Sequence, residues 1–173
     1  KNIPFIGRNG ILQSVFSAIE IAIWDLRGKI LGLPVSQIIS KNFRKELPLY
    51  ASSGTVVFSP RQIEEDLDNI LNIGYTSYKM RVGYQKWDID LKRVESARNT
   101  FGNNDLMVDA IMGTIRPAWS AEKAISRAKD LVDFNLRWLE EPVHPENIKG
   151  LVEVCHSELI PIAAGEAYSG NGE

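Results

Sequence analysis

Three acidic residues occupy positions that suit metal ligands. Asp109 ends the run Met107-Val108-Asp109, Glu140 ends Trp138-Leu139-Glu140, and Glu166 follows Ala163-Ala164-Gly165. A lone charge carried by an apolar run into a core is costly. Three carboxylates that converge repel one another unless a cation sits between them. Hard oxygen donors with no cysteine or histidine cluster beside them favour magnesium over zinc. Taken singly, an acid at a strand end is more often a helix cap or an ion-pair partner. Three in phase with a structural repeat favour a shared site. Glu141 is set apart by alternation: if Glu140 points inward, its neighbour points away.

Two cations precede them. In Tyr78-Lys79-Met80-Arg81-Val82, alternation puts Lys79 and Arg81 on one side and Tyr78, Met80 and Val82 on the other. Beside three acids, the pair suits a substrate-carboxylate clamp or a proton-transfer group. The plainer reading is ion pairing with the neighbouring acids.

The elements that carry these residues recur regularly. Strand-like runs fall at Leu47–Ala51, Ser77–Val82, Leu106–Ala110, Leu136–Glu140 and Ile160–Ala164, with helical segments at Pro60–Asn72, Trp87–Phe101, Trp119–Phe134 and Pro145–His156. Ser59-Pro60 supplies a cap and a proline at the first helical position, and Gly74 and Gly102 follow two of the helices. In the second helix Ile89, Val94, Ala97 and Phe101 are assigned to one face, and Lys92, Arg93, Glu95 and Arg98 to solvent. Alternating strands and helices imply βαβ units and a parallel sheet. Lys79, Asp109, Glu140 and Glu166 are spaced 30, 31 and 26 residues apart, close to the unit of about 31 residues in an eight-unit barrel of about 250. The fold class is therefore α/β, with about the first five strands of a TIM barrel. Ahead of them, Gln13–Gly32 forms a helix outside any βα unit, with Phe16, Ile19, Ile23 and Leu26 spaced to pack on a neighbour.

Composition narrows the function classes. The chain has 173 residues, 44% hydrophobic and 24% charged, with a formal net charge of −2 and no basic block. Nucleic-acid binding has little electrostatic support. No apolar run approaches the roughly 20 residues needed to span a bilayer, and the first residues carry no signal-peptide pattern. The single cysteine, Cys155, fits a reducing compartment. The expectation is a cytoplasmic protein with neither nucleic-acid nor membrane partners.

With the motifs in order, the chain resembles the mandelate racemase/muconate lactonizing family of the enolase superfamily. The likeness runs from about Gly10 onward: Ser17-Ala18-Ile19-Glu20-Ile21-Ala22-Ile23-Trp24-Asp25-Leu26-Arg27-Gly28-Lys29 with Gly32-Leu33-Pro34-Val35, then Leu49-Tyr50-Ala51-Ser52, Lys79-x-Arg81, Val108-Asp109-Ala110, Glu140-Glu141-Pro142 and Pro161-Ile162-Ala163-Ala164-Gly165-Glu166. It implies a remnant of an α+β capping domain over residues 1–46 and the first part of the barrel domain over residues 47–173. It also implies Mg2+ held by Asp109, Glu140 and Glu166, a small carboxylic acid as substrate, and a homo-oligomer. The chemistry it implies is removal of the proton α to a carboxylate through a metal-stabilised enediolate.

Two positions depart from the family pattern. Arg81 stands where a second lysine commonly serves as base, so either Arg81 is an unusual base or it is electrostatic while Lys79 or a later residue takes the proton. Ile111 stands where the family often has asparagine, and Met112–Pro117 lengthens the following loop. The family's remaining strands, with their His/Asp pair, would come after Glu173; His144 reaches at most the site's mouth, and His156 ends a helix. Prevalence within the family favours dehydration of a sugar acid. The alternatives are a racemase, epimerase or cycloisomerase, and, from another class, a non-catalytic metal-binding fragment.

Overall fold

The computed structural model describes residues 11–168. They fall into two compact units, residues 11–48 with Tyr168, and residues 49–167.

In the first unit, α1 (Ile11–Leu31) is followed by the short α2 (Val35–Ile39). Gly28 lets the turn between them come close: a Cβ there would lie 2.9 Å from the Leu33 carbonyl oxygen. The stripe of Phe16, Ile19, Ile23 and Leu26, expected to be a packing face, is exposed.

The second unit holds five strands, β1 (Ala51–Ser52), β2 (Ser77–Arg81), β3 (Asp105–Asp109), β4 (Leu139–Glu140) and β5 (Ile162–Ala163). All pair in parallel, and each lies beside its successor in the chain. An open doubly wound sheet reverses its strand order at a switch point. This sheet never does, and the barrel expectation holds for the five strands present. Helices α3 (Pro60–Asn72), α4 (Trp87–Phe101), α5 (Ala121–Leu131, continued by a 3-10 turn over Val132–Phe134) and α6 (Ile148–His156) make the crossovers.

Local chemistry sets these boundaries. Ser59 and Gln62 form a reciprocal capping box at the start of α3, with Pro60 in its first turn. Gly102 ends α4 at φ 59°, and Gly74 follows α3 at φ 92°. The first strand is shorter than the expected Leu47–Ala51 run, because Pro48 has no N–H to give to a ladder. Pro161 likewise precedes β5, and only its carbonyl is used, accepting from the Leu139 N–H at 2.9 Å.

Alternation divides the sheet's two faces. Tyr78, Met80 and Val82 of the second strand segment and Leu106, Val108 and Ala110 of the third are fully buried against Ile63, Leu67, Val94, Ala97 and Leu131 of the helices. Each such aliphatic side chain contributes about 1.5–3 kcal/mol on burial. Lys79, Arg81, Met107 and Asp109 take the other face, and pairing aligns Arg81 with Asp109 and Asp109 with Glu140. The sheet therefore brings polar groups from three strands to one level at its C-terminal end.

One assignment is overturned. Arg93, expected on the solvent side of α4, is fully buried. Its guanidinium pairs with Asp90 at 2.6 Å and donates to the carbonyls of Arg81 (3.0 Å), Gly54 (3.2 Å) and Thr55 (2.7 Å). Asp90 also accepts from the Gly83 N–H at 2.8 Å. The pair clamps the segments leaving β1 and β2, whose main-chain groups would otherwise be orphaned.

Candidate metal centre

Asp109 is the last residue of β3, Glu140 the last of β4, and Glu166 lies three residues past β5. One carboxylate oxygen from each falls within 4.8 Å of the other two. Asp109 is buried, Glu140 half-buried and Glu166 exposed, so the cluster opens outward from the sheet's end.

The two inner acids are oriented by named donors. Asp109 Oδ1 accepts from the Ile111 N–H at 2.9 Å. Glu140 Oε2 accepts from the Trp138 indole N–H at 2.9 Å, and Oε1 accepts from Lys79 Nζ at 2.6 Å. Lys79 Nζ is also 3.6 Å from Asp109 Oδ2 and lies over the Tyr50 ring, 5.5 Å from its centroid. Tyr50 packs edge-on to Trp138. The sequence reading did not single out Trp138 and Tyr50, although alternation along the chain already places Trp138 and Glu140 on the same side.

The backbone is strained beside two of the acids. Ile111 has φ 47° and Glu141 φ 44°. For a β-branched residue this conformation is a true outlier, costing about 1–3 kcal/mol. At Ile111 it aims the main-chain N–H back at Asp109. At Glu141 it breaks the alternation from which an outward side chain was expected. Glu141 is buried, and burial first, then the charges of Asp109, Glu166 and Glu140, push its carboxyl above the ordinary range.

Charge in the cluster is unbalanced. Burial pushes the Asp109 carboxyl up; the Ile111 N–H, Lys79 and Arg81 oppose this, Glu140 adds to it, and the net direction is upward. For Lys79 burial works downward, but the hydrogen bond and charge of Glu140, with Asp109 and Tyr50, outweigh it and keep the ammonium protonated. Three carboxylates thus converge, and the one ammonium paired with them, that of Lys79, meets Asp109 and Glu140. The donor set fits a divalent cation of the oxygen-preferring kind: three converging carboxylates, two of them pre-oriented, with excess negative charge for a cation to offset. Among the described residues Arg81 makes no ion pair with the acids, although Asp109 feels its charge; its guanidinium reaches the Ser53 carbonyl at 3.5 Å. His156 is exposed at the end of α6, and His144 lies on the segment after β4.

A parallel βα sheet with acids at or just past three successive strand ends has the layout of a barrel with a candidate metal centre at its C-terminal end. The comparisons agree: the model of the enolase C-terminal domain-like family matches residues 62–171. The chain belongs to that family, within the mandelate racemase/muconate lactonizing group of the enolase superfamily. It is 31% identical to L-talarate/galactarate dehydratase of Salmonella typhimurium over 93% of this chain and 39% of that enzyme. It is also 31% identical to 3,6-anhydro-alpha-L-galactonate cycloisomerase of Streptomyces coelicolor, over 94% of this chain and 44% of that enzyme. A racemase from Streptomyces coelicolor A3(2), solved with bound magnesium, superposes with a TM-score of 0.86 at 31% identity, covering 95% of this chain and 45% of that one. The chain therefore spans less than half the length of these relatives.

Proposed function

We propose that Asp109, Glu140 and Glu166 hold Mg2+ in a site for removing the proton α to a carboxylate, and that the protein dehydrates a sugar acid. The observation that carries this reading is the convergence of the three carboxylates, only two of them paired with the Lys79 ammonium, which leaves negative charge for a divalent ion to offset. Mg2+ bound there supplies Lewis-acid stabilisation of the negative charge that develops on the substrate carboxylate.

The chain's own residues do the rest. Asp109 is fixed by the Ile111 N–H and Glu140 by the Trp138 indole, so neither has to be ordered when the ion arrives. Lys79 orients the substrate carboxylate. Its ammonium donates to Glu140 Oε1; were Glu140 to hold Mg2+, Lys79 would be left to bind the substrate and move a proton at Nζ. Arg81, a guanidinium, acts as a fixed positive charge. In the same reading residues 1–46 belong to a capping domain and residues 47–173 to the barrel, and the protein is a cytoplasmic homo-oligomer.

The dehydratase at 31% identity supports loss of a β-hydroxyl as the second half of the reaction. The cycloisomerase at the same identity supports ring chemistry after the same first step. A Mg2+-dependent screen of sugar acids in D2O separates them. A 2-keto acid trapped by semicarbazide marks a dehydratase. Deuterium entering the α-carbon of otherwise unchanged acid marks a racemase. Mg2+ binding with neither outcome across the panel, and no cyclised product, would overturn the catalytic reading in favour of a metal-binding module.

A further inference from the structure

The loop between β3 and α5 carries a cation that the metal centre does not use. Arg116 is exposed, yet its guanidinium is tethered: Nη1 donates to the carbonyls of Gly113 (3.2 Å) and Ile115 (2.9 Å). The loop beneath is anchored by Met112, fully buried, whose sulfur accepts from the Trp119 N–H at 3.3 Å. Nη2 meets His144 Nε2 at 2.7 Å on the segment after β4. On the other side of the ring, His144 Nδ1 accepts from the Glu146 N–H at 3.3 Å and lies 3.9 Å from Glu146 Oε2.

Two features make this pair a recognition element. Among the described residues Arg116 has no carboxylate partner: its Nη2 contact is an imidazole nitrogen, not an acid. It is also joined to the acid centre. A Cβ on Gly113 would lie 3.2 Å from Glu141 Oε2 and 3.4 Å from Pro145, so this loop rests against the segment bearing Glu141, which feels the charges of all three acids. Arg116 and His144 thus stand on the rim at the same C-terminal end of the sheet, seven residues beyond Asp109 and four beyond Glu140.

We propose that Arg116 and His144 form an anion subsite for a second carboxylate, so that the substrate is a sugar acid ionised at both ends. This rests on the metal-site reading, which places the first carboxylate at the Mg2+. Arg116 exchanges its imidazole contact for a carboxylate, and His144, whose Nδ1 is occupied as an acceptor, turns its other ring nitrogen to the same carboxylate as a second donor. Charge-assisted hydrogen bonds of this kind are stronger than those between neutral groups.

The test uses the full chain with labelled imidazoles, since His144 and His156 are its two histidines. NMR follows both while galactarate, a diacid, or galactonate, a mono-acid of equal length, is added with and without Mg2+. Calorimetry measures Mg2+ binding separately. The expected result is galactarate binding at least about tenfold tighter than galactonate, with the His144 signal shifting while that of His156 stays put. Arg116→Gln should abolish the discrimination without altering Mg2+ affinity or melting temperature. Equal binding of the two acids, a silent His144, or discrimination that survives in R116Q overturns the subsite even if Mg2+ binds. Selective perturbation of His144 by galactarate in a chain that does not bind Mg2+ would keep the anion subsite and sink the metal reading instead.

Discussion

The barrel unit buries charge in two places, and the two are built differently. On the helix side of the sheet, Asp90 and Arg93 are both fully buried and balance each other, and all but one of their polar atoms are met. Asp90 receives Arg93 and the Gly83 N–H, while Arg93 serves three carbonyls; only its Nε lacks a partner. At the C-terminal end, three carboxylates converge with one ammonium paired to two of them, and Glu141 adds a fourth acid within electrostatic reach. The first cluster is closed and holds backbone. The second is left open by design of its charges, and an open, pre-oriented excess of one sign is what an ion site requires. Burial alone does not separate structural from functional charge; balance does.

The largest expected effect breaks the closed cluster. Arg93→Met leaves Asp90 buried without its counter-ion and should cost about 3–5 kcal/mol in chemical denaturation. Mg2+ should not restore that loss beyond the increment it gives the unmodified chain. A cost under about 1 kcal/mol would mean the pair is not the clamp described.

The open cluster should respond to pH and metal together. Asp109 and Glu141 have carboxyls pushed up in the folded chain, so the folded state binds their protons more tightly than the unfolded state does. Without metal, stability should therefore fall as pH rises from the ordinary carboxylate range, about 4, through the raised values. Mg2+ takes the ionised forms, so its stabilisation should grow across the same window, reaching about 2.7 kcal/mol at a hundred times its Kd. Thermal melts with and without MgCl2 at several pH values check this. A Mg2+ increment that shrinks toward neutral pH would contradict it.

The smallest effect sharpens the comparison at one backbone position. Ile111 holds a left-handed conformation that a β-branched residue resists, and its N–H serves Asp109. Ile111→Asn keeps the N–H and tolerates the conformation, so it should stabilise the chain by about 1 kcal/mol or somewhat more with Mg2+ affinity retained. Destabilisation in denaturant melts would show that the isoleucine side chain matters more than the strain.

Much of this was legible in the residues. The spans of α3 and α4 follow from Ser59-Pro60, Gly74 and Gly102, because capping and left-handed stops are local. The in-phase acids could be seen because the βα repeat is long-range but regular. What escaped was decided by partners remote in sequence. Arg93 looks like a solvent residue until the carbonyls of Gly54 and Thr55 come to it. Glu141 looks outward-facing until a left-handed turn ends the alternation. Arg116 and His144 meet only because two loops fold side by side.

The most direct test of the account is calorimetric titration of Mg2+ into the unmodified chain and into Asp109→Asn and Glu140→Gln. The account predicts one ion per chain, with proton release on binding, and loss of binding in both variants while they still fold. Absence of Mg2+ binding in the unmodified chain, or binding that both variants retain at full affinity, would contradict it.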